Sequence, residues 1–178
     1  MVFDGTNLFL LTTAGPGNTL PAVSHWNGSA WKEVGRADRN GLPYALGLFG
    51  GDLYVLGIFE SFAGVSTTNI ARWNGTEWLH VPRVFALGSS EDSPLALQGT
   101  EKFLYAAGHL TPTSEVPSES IARFDGMSWS ALDGGVGNPS GLAYVLNMAS
   151  SAGRVAVIGS FKRAGTNASQ NIAIWHEE

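Results

Sequence analysis

The stretch Ile70-Ala71-Arg72-Trp73-Asn74-Gly75-Thr76-Glu77-Trp78 decides the fold, because the chain repeats it. An earlier copy is Val23-Ser24-His25-Trp26-Asn27-Gly28-Ser29-Ala30-Trp31, and a later one is Ile121-Ala122-Arg123-Phe124-Asp125-Gly126-Met127-Ser128-Trp129. A shortened copy closes the chain at Ile172-Ala173-Ile174-Trp175-His176. The first aromatic of each copy stands at 26, 73, 124 and 175, with spacings of 47, 51 and 51. Four matches in almost constant register mark a repeat architecture, in which each unit buries its apolar faces against its neighbours.

A second pattern precedes each copy. Leu53-Tyr54-Val55-Leu56-Gly57-Ile58-Phe59 matches Leu104-Tyr105-Ala106-Ala107-Gly108-His109-Leu110 and Val155-Ala156-Val157-Ile158-Gly159-Ser160-Phe161. A degenerate version is Leu8-Phe9-Leu10-Leu11-Thr12-Thr13-Ala14. These short apolar runs, rich in β-branched and aromatic residues and bounded by Gly and polar clusters, read as strands. The Asn-Gly and Asp-Gly pairs between strand-like runs are hairpin signals, since Gly supplies positive φ at no steric cost. The spacing predicts four strands per unit: one ending near Tyr44–Leu48, then Leu53–Phe59, Asn69–Trp73 and Glu77–Val81. No window carries a 3.6-residue apolar period, so no helix is expected. Four antiparallel strands in a unit of about 50 residues make the blade of a β-propeller. The expected fold is therefore all-β, with blades over about 1–35, 42–82, 93–133 and 141–178 of one domain.

Composition supports this and excludes other classes. Gly accounts for 23 of 178 residues, charged residues for 14% and apolar ones for 44%. That is too apolar for a disordered tract, and no run approaches the length of a membrane-spanning helix. Gly serves tight turns and close backbone approach, and large aromatics fill the wedges between blades. A net charge of -5 with ten scattered Lys and Arg offers no footprint for a nucleic acid. No basic amphipathic stretch points to a membrane surface. The absence of Cys removes disulfides, thiolate metal sites and cysteine nucleophiles. Met1-Val2-Phe3-Asp4-Gly5 lacks the pattern of a signal peptide. The chain is thus expected to be cytosolic or to be separated from an export signal.

The unit resembles kelch-like propeller repeats, with an aromatic on the third strand and a Trp on the fourth. It is most similar to the Gly-x-Phe … Asn-Ile-Ala-Arg-Trp-Asn-Gly … Trp repeats of secreted bacterial propellers and fungal cell-surface polarity proteins. Here these are Gly57, Phe59, Asn69, Ile70, Ala71, Arg72, Trp73, Asn74, Gly75 and Trp78. Gly57-Ile58-Phe59 stands where kelch repeats proper have a Gly-Gly doublet. The resemblance implies an extracellular or cell-surface parent protein. Asp125-Gly126-Met127-Ser128-Trp129 also resembles the Asp-box hairpin of sialidases, read here as shared turn geometry.

Counted in strands, the units hold three, four, four and three, or fourteen against the sixteen of four full blades. Met1-Val2-Phe3 is at most a stub of a first strand. The missing strands belong to different blades, so the expectation is a half-ring that self-associates through open ends into an eight-bladed homodimer. A four-bladed monomer and a section of a longer ring are the alternatives.

Few residues point to chemistry. His25, His80, His109 and His176 show no metal-ligand spacing. His109 ends a second strand near one rim and is kept as a candidate ligand contact. Arg72 and Arg123 recur at one blade position, read as stems packed over neighbouring aromatics with their heads on loop carbonyls. Trp31, Trp78 and Trp129, on outer strands, are the candidate sugar-stacking platforms, although the same positions serve as interblade core. Gly134-Gly135-Val136-Gly137-Asn138-Pro139 precedes a strand and lacks the helix of a phosphate cradle. Asp38-Arg39-Asn40-Gly41 lacks the later carboxylate of a calcium loop. Copper–radical chemistry of the galactose-oxidase type needs a Cys, and Asn27, Asn74 and Asn167 head glycosylation sequons without functional weight. No catalytic residue, metal site or cofactor is assigned. The expected function is a non-catalytic interaction scaffold with a protein or glycan ligand held by loops 35–43, 82–94 and 111–118. A lectin is the alternative and a glycosidase a more distant one.

Overall fold

The computed structural model describes residues 1–12, 20–38, 41–83, 85, 93–111, 113–114, 116–139 and 143–177. Among the described residues the protein is all-β, made of small antiparallel sheets with no helix. The first sheet is β1 (Val2–Phe3), β2 (Leu8–Thr12), β3 (Ala22–Trp26) and β4 (Trp31–Arg36), each paired with the next. The second begins with β5 (Leu42–Phe49) and β6 (Asp52–Ile58). A side hairpin of β7 (Ser61–Phe62) and β8 (Val65–Ser66) follows, then β9 (Ile70–Trp73) and β10 (Trp78–His80) complete the sheet. The third is β11 (Ser93–Gly99), β12 (Leu104–His109), β13 (Ile121–Phe124) and β14 (Trp129–Ala131). After β15 (Val136–Gly137) come β16 (Tyr144–Ser151), β17 (Arg154–Ser160), β18 (Arg163–Ala164), β19 (Asn167–Ala168) and β20 (Ile172–His176). The fourth sheet is β16-β17-β20, and β15-β18-β19 form a small sheet beside it.

The expected strands are present within a residue or two. Val2–Phe3 pairs with Phe9 and Leu8, so the first unit has a short fourth strand that the sequence count treated only as a stub. The side hairpins and β15 were not expected, because two-residue strands leave no periodic signal.

The Gly-x-Phe … Asn pattern has a structural cause. Asn69, Ser120 and Asn171 take left-handed φ of 67°, 61° and 66°. Each donates its N–H to the carbonyl of Phe59, Leu110 or Phe161, and accepts at its own carbonyl from Gly57, Gly108 or Gly159. A β-bulge in the preceding first strand lies beside this turn in three sheets, between Pro43 and Ala45, Pro94 and Ala96, and Val145 and Asn147. The bulge bends the strand and brings its backbone onto the Gly.

The Asn-Gly hairpins work through the side chain. Asn74 Oδ1 accepts the N–H groups of Thr76 and Glu77, both at 2.9 Å, and Asn27 does the same for Ser29 and Ala30. Only the following Gly, at φ of 94–98°, is left-handed. Asp125 holds Met127 and Ser128 identically, and Asp4 holds Thr6 and Asn7 between β1 and β2. Those N–H groups, Ser128 first and then Met127, keep the Asp125 carboxyl below the usual carboxylate range. Asn7 chiefly does so for Asp4. A carboxyl whose pKa is lower folded than unfolded contributes stability that is full above its ordinary pKa and is lost as pH falls through the lowered one. Asp125→Asn keeps the acceptor, as Asn27 and Asn74 do. We expect thermal unfolding at neutral pH to be nearly unchanged, and the loss as pH falls below about 4 to be smaller than in the parent. An unaltered acid limb in circular-dichroism melts would contradict this.

Three apolar cores lie between successive sheets. Phe9 and Val23 of the first sheet meet Leu53, Val55, Ala71 and Trp78 of the second. Tyr54, Leu56 and Ile70 meet Leu104, Ala106, Ala122 and Trp129 of the third. Tyr105, Ala107 and Ile121 meet Val145, Val155 and Val157 of the fourth. Consequently β6 and β12 are buried on both faces through consecutive residues, whereas β17 alternates between buried and open positions. Each fully buried Ile or Leu contributes about 1.5–3 kcal/mol.

Candidate functional site

The first strands of the four main sheets converge on one cleft of about 430 Å³. Val2, Tyr44, Leu46, Gln98, Asn147 and Met148 are among its walls. Gln98 Nε2 donates to the Gly99 carbonyl and to Ser150 Oγ, and Asn147 Oδ1 accepts from the Met148 N–H. Its lining side chains are apolar or uncharged at neutral pH, so it offers contact surface rather than acid–base chemistry. Among the described residues, no three His, Asp or Glu side chains converge as metal ligands. Among the described residues no helix is long and apolar enough to cross a membrane.

The three outer-strand Trp residues occupy equivalent places with unequal exposure. Trp78 is 7% exposed, packs edge-on to Phe62 at 4.7 Å and donates its indole N–H to the Val34 carbonyl at 2.7 Å. Trp129 is 8% exposed and donates to the Pro82 carbonyl at 2.8 Å. Both acceptors follow the outer strand of the preceding sheet or lie within it, so both rings are covered by that sheet. Trp31 is 45% exposed and lies against Trp26 at 5.5 Å. Its sheet has no described neighbour on that side, which is why the same framework residue is open here. His109, half-buried at the end of β12, stands across from Ser93 on the second strand of its sheet, whereas the three Trp residues lie on the fourth strands β4, β10 and β14.

The recurrent cations settle over rings or acids. The Arg123 guanidinium lies 4.7 Å from the Phe103 ring centre, a cation–π contact. His25 stacks on Phe9 at 4.7 Å and its Nε2 meets Asn7 Oδ1 at 2.9 Å. Arg72 Nε lies 2.6 Å from Asp52 Oδ2, although its N–H points off that line, so this is an ion pair rather than a hydrogen bond. At the chain's last described residue, Glu177 Oε1 accepts from Thr100 Oγ1 and the Tyr105 hydroxyl, tying the end of the fourth sheet to the third. Burial first, then this carboxylate, pushes the Tyr105 phenol well above its usual range.

The loops expected to carry a ligand fall partly outside the described residues, at 39–40, 84, 86–92, 112 and 115. So do Thr13, Ala14, Arg39 and Asn40 of the patterns read from sequence. In their described parts Phe85 and Val116 are buried in the core between the second and third sheets, whereas Pro82, Arg83, Thr111, Ser114 and Pro117 are exposed. Gly134–Pro139 contains β15, paired with β18, and holds no helix.

A second cleft, of about 630 Å³, runs between β20 and the β18–β19 turn and is lined by Asp133, Ser169 and Trp175. It was not legible from side-chain chemistry; among the described residues the fourth sheet has three strands where the first three have four. Compared with known family models and with curated proteins, the chain gives no match.

Proposed function

We propose that the chain is a section of a kelch-like β-propeller that serves as a non-catalytic interaction scaffold and associates end to end with a second copy. The observation that carries this reading is the pair of unlike open ends. On the fourth sheet Ile158, Ile172 and Ile174 are 49%, 56% and 57% exposed. Leu56 and Ala107, the counterparts of Ile158, and Ile70 and Ile121, those of Ile172, are fully buried by the next sheet, while Ile174 stands where those sheets carry the half-buried Arg72 and Arg123. At the other end Phe3, Leu8, Leu10, Trp26 and Trp31 form the face whose counterparts in the second and third sheets do the covering. One end therefore offers what the other requires, and two copies joined at both ends would close a ring of eight sheets. An exposed apolar patch of this kind marks an association surface.

Light scattering is expected to give about twice the 18.8 kDa chain mass. Ile158→Asp with Ile172→Asp is expected to return the protein to a single chain with its circular dichroism kept. A monodisperse parent species near 18.8 kDa would overturn the end-to-end reading. An extracellular or surface-borne parent remains part of the proposal, supported by the repeat resemblance. The open Trp31–Trp26 ring pair supports a second reading, glycan stacking. Sugar binding lost in Trp31→Ala, with the oligomeric state unchanged, would favour it.

A further inference from the structure

We infer that the fold sorts the chain's three Asn-Gly pairs, presenting Asn27 and Asn74 for spontaneous conversion to aspartate through a cyclic imide while the bonded N–H of Gly41 holds Asn40 back. The pairs are Asn27-Gly28, Asn40-Gly41 and Asn74-Gly75. Gly leaves its nitrogen open to the preceding Asn side chain, so sequence alone ranks the three equally. The reaction consumes only water. Hydroxide takes the proton of the Gly N–H, and the nitrogen attacks Asn Cγ. The new N–Cγ bond closes a ring through a tetrahedral intermediate whose charge sits on Oδ1. The Cγ–Nδ2 bond then breaks, and ammonia leaves with a proton from water, which restores the hydroxide. Water opens the imide at Cγ to give Asp, or at the main-chain carbonyl to give isoaspartate, in which the chain runs through Cγ.

Both hairpins between a third and a fourth strand are arranged for this step. Asn74 Oδ1 accepts from the Thr76 N–H, the Glu77 N–H and the Thr76 hydroxyl, each at 2.9 Å. Asn27 Oδ1 accepts from the Ser29 N–H, the Ser29 hydroxyl and the Ala30 N–H at 2.9–3.0 Å. Donors already aimed at an oxygen that gains charge stabilise the intermediate without reorganising. Among the described residues the attacking N–H groups of Gly28 and Gly75 make no hydrogen bond, and neither does the departing Nδ2 of either Asn. Both turns are exposed, and nothing lies within 4 Å of a Cβ built on either Gly, so hydroxide reaches the N–H and ammonia leaves into water. Gly41 is the contrast. It is buried and donates its N–H to the Asp38 carbonyl at 2.8 Å, a bond that must break before its nitrogen can attack. Asn40 itself lies outside the described residues.

The aspartate product fits the turn, because the protein already contains it. Asp125 occupies the same hairpin position in the third sheet and accepts the Met127 and Ser128 N–H groups at 2.8 Å, and Asp4 caps its own turn in the same way. Each conversion adds one negative charge, so the two together take the net charge from -5 to -7 on one series of hairpins. Isoaspartate does not fit, since a chain rerouted through Cγ carries the following N–H groups away from their acceptor. At position 74 it disturbs the strand that holds the buried Trp78, and at position 27 the strand that holds the open Trp31.

The test incubates the whole chain at neutral to mildly alkaline pH and follows each Asn by peptide mass mapping, with an isoaspartate-specific methyltransferase marking the rerouted product. The same chain in concentrated urea gives the unfolded reference, in which the three pairs should convert at similar rates. In the folded protein Asn27 and Asn74 should lead Asn40 by about two- to tenfold, the worth of one hydrogen bond. Both aspartate and isoaspartate should form, and the rates should rise with pH. Thr76→Val removes the hydroxyl donor and should slow Asn74 by a similar factor while Asn27 keeps its rate, which shows that the fold is retained. Ser29→Ala should do the converse, and serves if the first variant does not fold. Equal rates at the three pairs in the folded protein, a lead for Asn40, or a hydroxyl-deleted turn that converts as fast as the parent or faster would each overturn the inference. Aspartate formed without isoaspartate would exclude the imide and overturn it as well.

Discussion

Trp78→Ala is expected to cost about 3–5 kcal/mol of folding stability, while Trp31→Ala, the same substitution at the equivalent place, costs about 1 kcal/mol or less. The residue type and repeat position are identical, so burial and bonding decide the difference. Trp78 is wedged between Phe62 and Trp73 and lies in the core shared by the first two sheets. Truncation opens a cavity there and leaves the Val34 carbonyl without its indole donor. Trp78→Phe fills most of the volume and should recover more than half of the loss, which separates packing from the hydrogen bond. Trp31 keeps nearly half its surface in water, and its truncation should register in association rather than folding. Urea unfolding followed by circular dichroism reads both. Equal losses at the two positions would mean that the first and second sheets do not pack as described.

Gly57→Ala is the second large effect, about 3 kcal/mol or more. The strain is spatial, since Gly57 is not among the residues with positive φ. A Cβ at this position meets the Leu42 carbonyl and lies 2.6 Å from Pro43 Cα, both backbone atoms of the bulged strand that cannot swing aside. Gly159 meets Tyr144 and Val145 in the same way. Gly75 provides the contrast: its φ is +98° and nothing lies within 4 Å of a built Cβ. Gly75→Ala therefore carries only conformational strain, about 1–2 kcal/mol. A Gly57→Ala protein within 1 kcal/mol of the parent by chemical denaturation would remove the bulge as the reason for the Gly.

The Gly-x-Phe … Asn spacing was legible as a repeat because identical local geometry needs identical residues. Its cause was not, since the left-handed Asn69 and the bulge opposite Gly57 are contacts between strands far apart in sequence. The Asp4-Gly5 turn shows the converse. It has the same side-chain capping as Asn74-Gly75, yet between the first and second strands rather than the third and fourth, so the dipeptide alone did not tell which pair it joins. The short side hairpins escaped because β-propensity over two residues is too weak a signal against a polar background.

Trp31, Trp78 and Trp129 mark the boundary between the two kinds of information. The sequence by itself determined that all three occupy one framework position on an outer strand, since residue type and spacing are local. Tertiary packing alone decided that two are core and one is open, because burial depends on whether another sheet lies alongside. The same holds for Ile172 against Ile70 and for the unpaired edge of β20 against the filled edge of β9. Repetition in the chain specifies identical sheets; where a neighbour is present on each face and edge is a property of the assembled structure.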